Sequence, residues 1–125
     1  MQKVLKFKIL SSTSYLKFLR ELVDTLKISN DAKRKCSVAL VEAVDNAVFH
    51  SHGGIKSYPI EIKISCLGRK TVMEVKDMGK GFDIKKVPEP SLYQINGRGI
   101  FIVKRLMKNV EYTKNTLKVT YEERN

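Results

Sequence analysis

The sequence predicts a two-layer α+β sandwich with helices covering one face of a sheet, and three observations predict it. Apolar and polar residues alternate in 3–9 and 60–66, the period of half-buried strands. Apolar residues recur every three or four positions in 13–26 and 31–50, the period of helices packed on one side. Strands and helices also follow one another in runs without strict alternation, the order expected of segregated layers. At 125 residues the chain makes one domain, 1–125, large enough to bury a single core without a metal or a disulfide.

Each element has its own residues. Val4, Leu5, Phe7 and Ile9 interleave with Lys6 and Lys8 as an opening strand. Tyr15, Leu16, Leu19, Leu22, Val23 and Leu26 keep helical spacing over 13–26, and Ser29-Asn30-Asp31 restarts a helix. The longer helix that follows lines up Cys36, Ala39, Leu40, Ala43, Val44, Ala47 and Val48. Ile60, Ile62, Ile64 and Cys66 alternate with Glu61, Lys63 and Ser65, turn chemistry spans 67–70, and 71–77 returns as the partner strand. Ile100, Val103, Leu106 and Met107 mark a helix over 99–108, and Val110, Tyr112, Leu117, Val119 and Tyr121 form a closing hairpin. The sequence shows no internal repeat, low-complexity segment or linker.

Composition narrows the class. Twenty-four basic against 13 acidic residues give a net charge of +11, which raises the question of nucleic acid. The charges are dispersed over helices, strands and turns, with no stacking platform or recognition-helix motif, so direct nucleic-acid binding is not expected and an acidic protein partner is preferred. Cys36 and Cys66 lie on apolar faces without metal-ligand spacing and read as small buried hydrophobes, compatible with a reducing cytoplasm. No apolar run approaches membrane-spanning length, and the start reads as a strand rather than a signal sequence. A soluble, cytoplasmic protein is the expectation.

Three motifs carry chemistry. In residues 42–47, E-A-V-D-N-A, Glu42 and Asn46 are four apart on a helix, separated by roughly 40° of rotation and one turn of rise. A carboxylate able to act as general base or cation ligand thus stands beside a carboxamide oxygen able to complete a Mg²⁺ shell shared with phosphates. In residues 77–83, D-M-G-K-G-F-D, Asp77 shares a strand face with Met73 and Val75. A carboxylate on an apolar face needs a hydrogen-bond donor, and an adenine amino group is one such donor. Gly79 and Gly81 allow close backbone approaches there. In residues 97–102, G-R-G-I-F-I, Gly97, Arg98 and Gly99 open a helix whose exposed N–H groups and neighbouring guanidinium suit phosphate. Alone, each motif is matched by a plainer reading: a solvated helix edge, a capped turn, a glycine ending a loop. The weight lies in the set.

The ordered trio E-A-x-x-N-A, D-x-G-x-G-F-D and G-x-G-[IL]-x-[IL] resembles the ATP-binding domain shared by gyrase, the ninety-kilodalton heat-shock chaperone, sensor histidine kinases and the mismatch-repair ATPase. Within that histidine-kinase-like ATPase superfamily, E-A-V-D-N-A-V-F-H-S-H and G-R-G-I-F-I-V-K-R-L-M look like the anti-sigma-factor serine kinases. The resemblance implies a Bergerat-type fold with a mixed, mostly antiparallel sheet covered on one face by helices. It implies ATP and Mg²⁺ as cofactors, Glu42 polarising the hydroxyl of a protein serine, Asn46 holding Mg²⁺, and Asp77 taking the adenine amino group. Gly79 and Gly81 would shape the adenine end of the pocket, Gly97, Arg98 and Gly99 would lie at the phosphates, and 84–96, with Pro88, Pro90, Ser91 and Asn96, would form a lid. His50 and His52 match the pattern but receive no chemistry. The implied partners are a sigma factor, an anti-sigma-factor antagonist phosphorylated on serine, and a second copy of the chain in a homodimer. The chain departs from the subgroup at Lys108-Asn109, where relatives commonly carry an acidic pair, and in a short lid with no basic residue immediately before Gly97. A nucleotide-gated module that captures protein without phosphorylating it shares the same motifs and stands as the alternative. The catalytic part of a sensor histidine kinase is a further one, against which stands the lack of a helical pair with a phospho-accepting histidine.

Overall fold

The structure, a computed structural model, describes residues 3–10, 15–48, 59–77, 97–113 and 115–123. Its elements in chain order are β1 (Lys3–Leu10), α1 (Tyr15–Asp24), α2 (Asn30–Asn46), β2 (Pro59–Leu67), β3 (Lys70–Lys76), α3 (Gly97–Leu106), β4 (Asn109–Thr113) and β5 (Thr116–Glu122). The five strands form one sheet in the order β1-β2-β3-β5-β4, and every described pairing is antiparallel. This is the expected α+β sandwich. The last hairpin enters the sheet through its second strand, so β5 rather than β4 lies against β3.

Register puts the apolar residues in rows on one face. Phe7, Ile62, Val75, Leu117 and Tyr112 stand opposite one another across the strands, and so do Leu5, Ile64, Met73, Val119 and Val110. On an antiparallel pair, residues directly opposite share a face, so these rows make a continuous floor for the helices. The core closes over it with Leu19 and Val23 from α1, Cys36, Ala39, Leu40, Ala43 and Val44 from α2, and Ile100 and Val103 from α3. Burial pushes the Cys36 thiol up to about 12, with the nearby Cys66 and Glu123 adding to it, so this thiol stays protonated and packs as a hydrophobe.

The ends of the elements have local causes. Gly68 takes φ of +60° in the β2–β3 turn while an added Cβ would meet open space, so glycine is favoured there by conformation and not by room. Asn115, at φ of 63°, fills the matching position between β4 and β5. α1 stops at Asp24, short of the expected 26, because the chain tightens: Thr25 and Leu26 donate to the carbonyls of Leu22 and Val23 at 3.1 and 3.0 Å. Leu26 is nevertheless buried, which is why its position fits the helical stripe. At the start of α2, the Ser29 hydroxyl accepts from the Ala32 N–H at 3.0 Å, an N-cap. Asp31 in that first turn meets Arg34 and Lys35 at 2.7 and 3.0 Å and accepts from the Tyr121 hydroxyl at 3.3 Å, tying α2 to β5.

The second sheet face is polar. Lys6, Lys63, Glu74, Lys118 and Glu111 make one cross-strand row, with Lys63–Glu74 at 3.8 Å, and Lys8 meets Glu61 at 3.5 Å in the next. An antiparallel sheet can leave one face in water, and pairs this exposed contribute little to stability. Among the described residues, no helix is long and apolar enough to cross a membrane.

Denaturant titration should rank these features. Leu40→Ala, which empties a fully buried position, is expected to cost about 2–5 kcal/mol, and Ser29→Ala about 1 kcal/mol through loss of the cap. Equal small losses for both would contradict α2 as the centre of the core.

Candidate functional site

The apolar stripe of α2 decides where its other side chains go. With Ala39, Leu40, Ala43, Val44 and Ala47 facing the core, Glu42 and Asn46 fall together on one edge of the helix, a turn apart. Glu42 is half-buried, whereas Asn46 is only 5 % exposed. A carboxamide in such a place ordinarily has a partner. Among the described residues Asn46 finds no side-chain hydrogen bond and Glu42 no ion pair, which suits groups that serve a ligand.

Burial raises the Glu42 carboxyl above the usual range, and the neighbouring Asp45 carboxylate adds to the effect. Asp45 is itself gripped from the adjacent helix, where the Tyr15 hydroxyl donates to its Oδ1. Tyr15 opens α1 and is buried. Its phenol is pushed well above its ordinary value by burial first, then by the hydrogen bond to Asp45 and by the charges of Asp45 and Glu42, so it remains a neutral donor. Neither residue stands out in the sequence as functional. Tyr15 reads as one more apolar position and Asp45 as the variable letter inside E-A-V-D-N-A. The available signal is an acid three residues after Glu42, and its partner emerges only once α1 packs against α2.

Asp77 lies one residue past β3 on the face of Met73 and Val75, as the alternation predicts, and is 3 % exposed. Its N–H donates to the Asn115 carbonyl at 2.9 Å, which anchors this strand end to the β4–β5 turn. Helix α2 crosses the same face of the sheet against β3 and β5. The third motif is helical from its first glycine: Gly97, Arg98 and Gly99 form the first turn of α3, which packs along α2. That turn holds no acidic residue, and its N–H groups, which have no partner within the helix, form its positive end. Gly79, Gly81, the Arg98 side chain, His50, His52 and the 84–96 segment lie outside the described residues. Helix α2 therefore packs both on the strand that leads into Asp77 and on the helix that begins at Gly97.

The donor chemistry fits Mg²⁺ bound together with a triphosphate. Among the described residues no three His, Cys, Asp or Glu side chains cluster as a metal cage. Asn46 supplies one hard oxygen donor, and phosphate and water oxygens are the usual remainder around this ion. A shallow groove of about 450 Å³ crosses the polar sheet face, lined by Lys6, Lys8, Glu61, Lys63, Glu74 and Lys76. It contains none of the motif residues and lies across the sheet from α2, so the nucleotide motifs are not there.

The raised Glu42 carboxyl has a consequence for stability. A folded-state titration above the unfolded value means that the fold holds this proton more tightly, so the contribution is fully present below the unfolded value and is lost as pH rises through the folded one. Glu42→Gln cannot ionise. Its melting temperature is expected to match the parent near pH 3.5 and to exceed it by about a few degrees near pH 7. Calorimetry that shows the same difference at both pH values would contradict a proton held by burial.

Comparison with known proteins agrees with this geometry. Residues 11–121 match the family described as Histidine kinase-like ATPase domain. The chain is also 36 % identical over 101 residues to the Sensor histidine kinase YxdK of Bacillus subtilis (strain 168), an alignment covering 72 % of this chain and 30 % of that protein. It thus spans about three-tenths of the relative's length. With its antiparallel sheet under three helices, the chain belongs to the histidine kinase-like ATPase domain family and is an ATP-binding module related to the bacterial sensor histidine kinases.

Proposed function

We propose that the chain is an ATP-dependent serine protein kinase of the anti-sigma-factor type, which binds a sigma factor and phosphorylates an anti-sigma-factor antagonist on serine. The observation that carries this reading is Glu42: a half-buried carboxyl, raised above its usual range, one turn from the buried Asn46. A base whose pKa is moved toward the operating pH takes a hydroxyl proton more effectively. Glu42 receives the serine proton, Asn46 holds Mg²⁺, Asp77 accepts from the adenine amino group, and the first turn of α3 with Arg98 faces the phosphates. Gly79 and Gly81 give the adenine end its close backbone approach. Bound MgATP supplies the phosphoryl group and offsets its charge. The chain itself contributes positioning and proton acceptance, which is most of what phosphoryl transfer asks of a protein. A cytoplasmic homodimer completes the reading.

The 36 % identity to a sensor histidine kinase favours a second reading, in which the domain transfers phosphate to a histidine. The two products differ chemically: a phosphoserine ester survives acid, whereas a phosphoramidate on histidine does not. Incubation with γ-labelled ATP and a cell extract, followed by acid treatment of the labelled partner, is expected to leave the label in place. Loss of all label in acid would favour the histidine reading.

Two substitutions test the assigned roles. Glu42→Ala is expected to lower transfer at least about a hundredfold while nucleotide still binds, and transfer at the parent rate would remove Glu42 as the base. Asp77→Asn should weaken ATP by about tenfold in calorimetry, the scale of one hydrogen bond to a charged group. Unchanged affinity would take Asp77 out of the adenine pocket.

A further inference from the structure

We propose that Tyr15 and Asp45 form a positioning pair for the phosphotransfer site: the phenol on α1 holds the Asp45 carboxylate and thereby sets the edge of α2 on which Glu42 and Asn46 stand. The proposal rests on the preceding reading of Glu42 as the base.

Three observations support it. First, position: Asp45 follows Glu42 by three residues and immediately precedes Asn46, so the hydrogen bond from Tyr15 grips α2 inside the motif itself. Second, burial: Tyr15 is 7 % exposed, its ring packs in the core, and a buried hydroxyl needs an acceptor. Asp45 satisfies it. Third, reach: the bond joins residues 30 positions apart, linking the first turn of α1 to the last turn of α2. Among the described residues, this is the hydrogen bond that reaches the Glu42–Asn46 edge from another element.

The pair has two physical effects. Mechanically, α2 ends at Asn46, with the Ala47 N–H already shared between the Ala43 and Val44 carbonyls, and terminal turns of a helix fray unless held. A cross-helix bond at position 45 damps rotation and fraying where a displacement of about 1 Å could lower the rate about a hundredfold. Electrostatically, burial disfavours ionisation of Glu42 and the neighbouring Asp45 carboxylate adds to that effect. Among the described residues, the groups that face Glu42 are Asp45 on its own helix and Tyr15 on α1. Tyr15 is uncharged, so the field at Glu42 from these two comes from Asp45.

Tyr15→Phe keeps the ring in the core and removes only the donor. It is expected to lower kcat for phosphate transfer about tenfold or more while KM for MgATP changes less than about twofold. Loss of affinity with kcat intact, or no change in either, would overturn the positioning role. Asp45→Asn tests the field without requiring activity. In carbon-13 NMR of the full chain, with Glu42→Gln identifying the resonance, the Glu42 carboxyl should titrate at lower pH in Asp45→Asn than in the parent. An unmoved titration in a variant that melts cooperatively would overturn the proposal. If the parent transfers no phosphate to any partner, the reading of Glu42 as a kinase base falls, while the titration still decides whether Asp45 sets its protonation.

Discussion

The burial of α2 between the sheet and its two neighbouring helices is the constraint on which the rest depends. Its stripe of small and branched residues, Cys36, Ala39, Leu40, Ala43, Val44 and Ala47, has to meet the floor laid by Ile62, Ile64, Met73, Val75, Leu117 and Val119. That packing fixes the rotation of the helix about its axis, and the rotation fixes the edge that presents Glu42 and Asn46. Stability and site are thus set by the same contacts. The small residues also let α1 and α3 approach closely, which brings Tyr15 to Asp45 on one side and packs α3 along the other.

The candidate site sets polar groups among apolar surroundings. Asn46 and Asp77 are both more than nine-tenths buried on the inner side of the sheet, where a polar side chain needs a hydrogen-bond partner. The same burial raises the proton affinity of Glu42. On the outer side of the sheet, lysines and glutamates alternate in water, and their pairing offsets part of the large positive charge without building a site. One sheet therefore separates a wet, charged face from an interior whose buried polar side chains, among the described residues, are Asn46 and Asp77 of the motifs and Thr71.

Much of this was legible in the residues. Period-two alternation located β1, β2 and β3 and placed Asp77 on the inner face, and period 3.6 located α2 and the relative placement of Glu42 and Asn46. Strand order was not legible, because alternation shows which face a strand buries and not which neighbour it takes; the insertion of β5 beside β3 is a long-range choice. The turn after α1 is not legible for a related reason, since Leu26 keeps the helical spacing although the chain has already left the helix. The Tyr15–Asp45 relation is not legible because it joins residues 30 positions apart on two different helices. In the third motif the residues signal a helix opening, and the helix starts at Gly97, two positions before the expected 99.

In the proposed function, one interlayer region gathers the α2 edge, the end of β3 and the first turn of α3 around MgATP. The most direct measurement is an amide NMR titration of the chain with MgATP. The account predicts that resonances of Glu42, Asn46, Asp77 and Gly97 to Gly99 move together along one saturable curve. Saturable shifts confined to Lys6, Lys8, Lys63, Glu74 and Lys76 on the outer sheet face, with those six residues unmoved, would contradict it.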